Sequence, residues 1–201
     1  MNSFWTVPRI WTGASAFIIG GGPSLLDLNL GLITDKNVIG INDAYLLGSW
    51  IDYNIFGDTD WYNIHCHAKA FKAYTGTHVA ANDKMLHEDG IPTLSRRKNV
   101  ITTVPNTIGW FTNTGVSAIN LAILLGCKKV ILLGFDLGFR KGESNWHENI
   151  KKQKPSRYER FIASFEQAAP QIDKLGVEVL NATPNSSLTC FPYVRYEDVA
   201  R

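Results

Sequence analysis

Ala16-Phe17-Ile18-Ile19-Gly20-Gly21-Gly22-Pro23-Ser24 decides the fold. The apolar run predicts a buried strand over Ala16–Gly20. The glycines turn the chain, and Ser24 suits the N-cap of a short helix or turn reaching about Leu32. A strand, a small-residue loop and a helix start leave backbone N–H groups bare at the turn, where a phosphate or other anion is received. The loop is neither a Walker A sequence nor a Gly-x-Gly-x-x-Gly followed by an acid. A tight turn without a ligand is the alternative reading.

Working outward, Asn37–Ile41 and Tyr53–Phe56 read as the next two strands, with weaker strand patterns at Thr77–Ala81 and Asn99–Val104. Thr114–Leu125 predicts a helix: Asn113 or Thr114 caps it, Val116, Ile119, Ala122 and Ile123 repeat at helical spacing, and Gly126 stops it. Its apolar surface is wide enough to be buried between a sheet and another layer. Lys129–Gly134 lacks alternation and reads as a central parallel strand. Tyr158, Phe161, Ile162, Phe165, Ala169, Ile172 and Leu175 mark an amphipathic helix that Pro170 should kink or restart, with Gly176 ending it and Val177–Leu180 following as a strand. Strands alternating with helices imply one α/β domain over residues 1–201, a Rossmann-like three-layer sandwich with a mostly parallel sheet.

Composition bounds the function. The 201 residues suffice for one sizeable core, and 45% hydrophobic with 19% charged residues fits a globular chain. A net charge of +2 supplies no bulk attraction for nucleic acid. Cys66, Cys127 and Cys190 are widely spaced and odd in number, which points to reduced thiols and a cytoplasmic protein rather than a disulfide framework or a zinc site. The first residues carry no signal-peptide pattern, and no apolar stretch approaches the roughly 20 residues of a membrane span.

In an open parallel sheet, ligands bind beyond the carboxyl ends of the strands. Those ends carry Gly20–Ser24, Asn42-Asp43-Ala44, Gly57-Asp58-Thr59-Asp60, Gly134-Phe135-Asp136 and Asn181–Ser186. Asn42 and Asp43 suit a base edge or ribose hydroxyls, or the cap of a helix starting near Ala44. Asp58 and Asp60 form an Asp-x-Asp pair that would suit a divalent cation, although such triplets are common. His147 lies in a polar loop after the Lys129–Gly134 strand, where a neutral imidazole could take a proton from a hydroxyl. An exposed loop histidine is its alternative. His65 and His67 alternate, as on one face of a strand or as surface groups, and His78 and His87 carry no signal. Lys151, Lys152, Lys154, Arg157 and Arg160 form a basic run, either a solvated helix start or a lid closing on phosphates.

Gly20-Gly21-Gly22-Pro23-Ser24-Leu25, Asn42-Asp43-Ala44, Asn113-Thr114-Gly115, Leu133-Gly134-Phe135-Asp136-Leu137 and Trp146-His147 together resemble the phage and prophage proteins often labelled norphogenetic protein. Their order is also similar to that in the MptE-like 6-hydroxymethylpterin diphosphokinases, the motility-associated flagellin glycosylation proteins and the bacterial lipooligosaccharide sialyltransferases. The resemblance to the sialyltransferases implies that Gly20–Ser24 and Asn42 contact a cytidine nucleotide sugar. It also matches Asn113-Thr114-Gly115 to a helix start, Gly134-Phe135-Asp136 to a Gly-Ile-Asp element, and Thr183-Pro184-Asn185-Ser186 to a Cys-Pro-Asn-Ser element. His147 matches the catalytic base. The tyrosines that hold the leaving phosphate in those enzymes have no match, since Leu137 and Phe139 stand where one is sought.

The expected function is transfer from a CMP- or UDP-type nucleotide sugar by a glycosyltransferase. His147 and Asp136 are the catalytic residues. Gly20, Gly21, Gly22, Pro23, Ser24, Asn42, Asp43, Asp58, Asn113, Thr114, Gly115 and Asn185 bind the nucleotide. Diphosphoryl transfer from magnesium ATP to a small alcohol is the alternative, with Asp58, Asp60 or Asp136 as metal ligands. A non-catalytic phage module is the third. The acceptor class stays open between a glycan, a small alcohol and a modified DNA base, the last kept by the Arg96-Arg97-Lys98 and Lys151–Arg160 clusters. So does a homo-oligomeric assembly. A phage-encoded protein would act in the host cytoplasm.

Overall fold

The computed structural model describes residues 3–86, 90–147 and 154–201. Its main sheet holds β1 (Ser15–Ile19), β2 (Val38–Ile41), β3 (Tyr53–Phe56), β4 (Thr77–Ala80), β7 (Lys129–Leu133) and β8 (Glu178–Asn181). The spatial order is β4-β3-β2-β1-β7-β8, and every pairing is parallel. β5 (Ser95–Lys98) and β6 (Thr107–Trp110) pair in parallel in a separate two-stranded sheet. The helices are α1 (Thr59–His65), α2 (Lys69–Ala73), α3 (Thr114–Leu125), α4 (Pro155–Asp173) and α5 (Tyr196–Val199). This is a Rossmann-like α/β fold.

The strands are apolar on both faces because both are covered: β2 and β3 are buried at every residue, as is β1 beyond Ser15. On one face, Ile18, Ile39, Ile55, Val130 and Leu132 pack with α3 and with Phe165, Ala168 and Ile172 of α4. On the other, Phe17, Ile19, Val38, Phe56 and Leu133 pack with Tyr45, Trp61, Phe71 and Tyr196. α3 is buried from Gly115 to Leu125, as its apolar girth requires. The chain winds outward from β1 to β4 on one side and adds β7 and β8 on the other. The topological switch point therefore lies between the carboxyl ends of β1 and β7.

Several expectations are corrected. Asn99–Val104 forms no strand: the N–H of Ile101 donates to Gln171 Oε1 at 2.9 Å, and that of Thr102 to Asn120 Oδ1 at 3.1 Å. Side chains satisfy this β-prone segment in place of a ladder. Lys129–Leu133 is interior but one place from the edge strand β8. The stretch after Gly22 is two 3-10 turns, Pro23–Asp27 and Leu30–Ile33. α4 opens with Pro155 in its first turn and continues through Pro170 to Asp173, so Pro170 neither ends nor restarts it. His65 and His67 belong to no strand: His65 ends α1, turned inward, and His67 is exposed just beyond it.

Candidate functional site

A cleft of about 210 Å³ opens at the switch point. Its floor is Gly20, Gly21, Gly22 and Gly134; Ile41, Asn42 and Asp58 come from the ends of β2 and β3. Trp110, Thr112, Asn113, Thr114 and Gly115 come from β6 and the start of α3. Leu137, Ser144, Asn145, His147, Arg157, Tyr158 and Phe161 close the far side.

The glycines answer first to packing. A Cβ on Gly20 would lie 2.7 Å from Gly134 O, and one on Gly22 would lie 1.9 Å from Asp136 Oδ2. The loop after β7 presses directly onto the loop after β1. The backbone N–H groups are mostly engaged: Gly20 donates to Leu133 O at 2.8 Å, Gly22 to Gly134 O at 2.7 Å and Ser24 to Asp136 Oδ1 at 3.1 Å. Gly21 alone in this loop keeps an N–H without a partner among the described residues. The expected row of bare amides is thus reduced to one, because a carboxylate of the protein occupies the helix-start position.

That carboxylate is Asp136. It accepts Ser24 Oγ–H at 2.6 Å as well as the Ser24 N–H, and it does not line the cleft. Burial pushes its pKa above the usual carboxylate value, and the Ser24 bonds only partly offset this. Asp136 therefore staples the two loops and has no route to a reacting atom as a catalytic group. Pro23 and Ser24 are buried beneath the loop rather than in the cleft.

Asp43 also sits below the cleft, with 1% exposure. It accepts Trp61 Nε1–H at 2.6 Å, and His65 Nε2 stands 3.3 Å from the same oxygen. His147 Nδ1 lies 2.9 Å from Asp43 Oδ2. That contact is at hydrogen-bond distance but not at hydrogen-bond angle, so Nδ1 makes no formal hydrogen bond among the described residues. Tyr45 Oη, 2.8 Å from His65 Nδ1, extends the chain of contacts inward. Burial raises the Asp43 pKa, but the His147 and Trp61 contacts and the charge of the two imidazoles outweigh it, leaving the carboxyl below its ordinary value. Burial pushes His65 down, more than Asp43 lifts it. Asp43 is therefore an ionised carboxylate facing two imidazoles, and it orients His147 rather than reading a nucleotide directly.

His147 lines the cleft with a side chain only 9% exposed, not the exposed loop group of the alternative reading. Its loop is pinned from both sides. The Trp146 N–H donates to Gly21 O at 3.0 Å, Trp146 Nε1–H to Gly20 O at 3.3 Å, and Tyr158 Oη–H to Ser144 O at 3.4 Å.

Asn42, Thr112 and Leu137 all line the cleft with φ of 53°, 55° and 47°. Left-handed backbone in a β-branched residue such as Thr112 is strained, and such strain collects at functional sites. Asn42 Oδ1 is buried without a hydrogen-bond partner among the described residues. Asn113 caps α3, accepting the Gly115 N–H at 2.8 Å, and its Nδ2–H donates to Phe161 O at 3.3 Å. Gly115 is required by packing, since a Cβ there would lie 2.7 Å from the Phe165 ring.

Other expected residues fall elsewhere. Asp58 is exposed at the rim, but Asp60 is exposed in the first turn of α1 and outside the cleft. Among the described residues no group of three or more His, Cys, Asp or Glu is placed to hold a metal. Asn185 is exposed on a loop that supports the site from behind: Thr183 Oγ1 accepts the Phe135 N–H at 2.9 Å, and Ser186 Oγ–H donates to Phe135 O at 2.6 Å. His87, Glu148, Lys151 and Lys152 lie outside the described residues. Of the basic run, Arg157 reaches the cleft, and Tyr158 beside it lines the cleft too.

Set against protein-family models, curated proteins and solved structures, the chain matches none. No helix among the described residues is long and apolar enough to cross a membrane.

Proposed function

We propose that the cleft binds a nucleotide-activated donor and transfers its sugar to a hydroxyl acceptor, with His147 as general base. The observation that carries this reading is the Asp43–His147 pair, 2.9 Å apart, at the switch point of a doubly wound sheet. The buried carboxylate stands beside Nδ1 at ion-pair distance, which leaves Nε2 for chemistry in the cleft. Nε2 takes the proton of the acceptor hydroxyl as its oxygen bonds to the anomeric carbon. The bond from that carbon to the donor phosphate breaks, and the nucleotide leaves with the electron pair.

The residues present fit such a donor. The Gly21 N–H and the Thr114 N–H at the start of α3 offer donors to a phosphate, while the Gly115 N–H is taken by the Asn113 cap. Arg157 adds a cation at the same cleft. Asn42 Oδ1, without a partner among the described residues, is an acceptor for a base or ribose donor. Of the residues that carry the resemblance to the lipooligosaccharide sialyltransferases, Gly20, Gly21, Gly22, Asn42, Asn113, Thr114, Gly115 and His147 line this cleft, which supports glycosyl transfer. Diphosphoryl transfer from ATP rests on one carboxylate at the rim, Asp58, which with donor phosphates would hold magnesium.

A thermal-shift and calorimetric panel of CMP, UDP, ATP with and without magnesium, and the CMP- and UDP-sugars tests this reading. Metal-independent binding of CMP or UDP, with turnover abolished in His147→Ala and binding retained, is expected. Binding of ATP alone, only with magnesium, would transfer the case to the second reading. Binding of no nucleotide would end both.

A further inference from the structure

We infer that Trp110 is the stacking platform for the planar base of the nucleotide, a subsite that deepens the reading above and rests on it. Trp110 ends β6 and lines the cleft next to the ends of β2 and β3. It is half-buried, and no aromatic ring of the described residues stacks on it. One side of the indole is covered from behind: the Arg96 guanidinium carbon lies 3.7 Å from its ring centroid.

That guanidinium is itself fixed. Arg96 Nε–H donates to Ala81 O and an Nη2–H to Gly57 O, both main-chain groups at the ends of β4 and β3. Arg96 and Trp110 sit across the β5–β6 ladder, where Lys98 pairs with Trp110 and Arg96 with Ile108. The ring edge is held too, since a Cβ on Gly57 would lie 2.7 Å from Trp110 Cζ3 and Cη2. Glycine is needed at 57 because the indole lies against its Cα. A tryptophan clamped by a cation on one side and a backbone on its edge loses little freedom when a second planar group stacks on it. It also tolerates any base, because every base presents a π-face.

Position selects the base rather than the sugar or phosphate as occupant. The phosphate donors are the Gly21 and Thr114 N–H groups, whereas Trp110 brings a π-face to the cleft at the end of β3, with its ring edge against Gly57 next to Asp58. Asn42 Oδ1, buried and without a hydrogen-bond partner among the described residues, offers an acceptor at the end of the neighbouring strand β2 for an N–H at a base edge. The sugar and the acceptor hydroxyl belong within reach of His147, whose Nδ1 lies 2.9 Å from Asp43, the residue after Asn42.

Calorimetry on the unaltered protein gives the first test. The tightest of CMP, UMP, AMP and GMP is compared with ribose 5-phosphate, which keeps the sugar and phosphate and lacks the base. Base stacking predicts that the nucleotide binds roughly 5- to 150-fold more tightly. Equal affinities would overturn the platform while leaving nucleotide-site binding intact. Trp110→Ala should remove that advantage with ribose 5-phosphate binding unchanged, and Trp110→Phe should keep most of it. Equal losses for both ligands in a folded Trp110→Ala would make Trp110 merely structural. No binding of any nucleotide by the unaltered protein would instead overturn the proposed function and the platform with it.

Discussion

Replacing Gly22 by alanine should destabilise the fold by about 3 kcal/mol, whereas Gly21→Ala, one residue away, should change stability by less than about 1 kcal/mol. The two glycines share a loop and a chemistry but meet different neighbours. A methyl on Gly22 would fall 1.9 Å from Asp136 Oδ2 and 2.6 Å from Gly134 O. The carbonyl belongs to the strand-end backbone and cannot swing aside, so the Asp136 carboxylate must move. Moving it breaks the Ser24 Oγ–H bond at 2.6 Å and the Ser24 N–H bond at 3.1 Å. Overpacking costs about 1–3 kcal/mol, and buried bonds to a charged group are worth about 1.5–3 kcal/mol. Against this, alanine stiffens the unfolded chain by about 0.4–1 kcal/mol, since the native φ of Gly22 is −70° and alanine tolerates it. A methyl on Gly21 would meet only Asn145 Oδ1 at 3.3 Å, the end of a side chain that can turn away. Urea unfolding with both m-values fitted reads the difference directly. Equal effects for the two variants, or a Gly22→Ala loss below about 1 kcal/mol, would refute the idea that the β7 loop dictates glycine at this turn.

His78 should make stability fall on acidification. Stacked on Phe71 at a centroid distance of 3.7 Å, it is driven by burial down to about 4, so the unfolded chain binds its proton first. Its contribution is complete above the ordinary value of about 6.5 and is lost as pH falls toward 4, about 3 kcal/mol in all; the difference between the denaturation curves of the unaltered protein and His78→Leu should show that drop, and a flat difference would contradict it. Asn120→Ala should cost about 3 kcal/mol, because Asn120 is fully buried and its loss orphans the Thr102 N–H, the Gly109 N–H and the Thr102 carbonyl; thermal unfolding within 1 kcal/mol of the original would refute this. Asp43→Asn should lower turnover about 100-fold or more while donor affinity, read by calorimetry, stays within about threefold, since Asp43 acts through His147. An unchanged turnover number would remove Asp43 from the mechanism.

The sheet was legible because parallel strands buried on both faces write near-continuous apolar runs, as β1, β2 and β7 do and as β3 does apart from Asn54. α3 was legible from its cap at Asn113 and its stop at Gly126. The strand at Asn99–Val104 misled because its β-branched residues serve an extended segment bonded to Asn120 and Gln171, partners far away in the chain. β5 and β6 were hidden for the opposite reason: Ser-Arg-Arg-Lys and Thr-Ile-Gly-Trp pair only with each other and carry little apolar pattern. α1 and α2 are too short to show a helical period.

In the site, the loops that meet were readable from their places at strand ends. The division of labour among them was not. Asp136 and Asp43 look alike in sequence, as acids following a strand, yet each is buried and spent on a neighbour, one on Ser24 and one on His147. Trp110, Arg157 and Tyr158 enter the cleft from β6 and α4, whose approach depends on packing that no local pattern encodes. A tryptophan ending a weak strand and an arginine beside an inward tyrosine at a helix start were the only local traces.

The most direct measurement is the electron density of a crystal soaked with the nucleotide that binds best in the panel. Density is expected with phosphate at the Gly21 N–H and the Thr114 helix start, the base against Trp110, and the sugar-facing end beneath His147. Nucleotide bound anywhere else on the molecule, with the β1–β7 cleft still filled by water, would contradict the assignment of that cleft as the functional site.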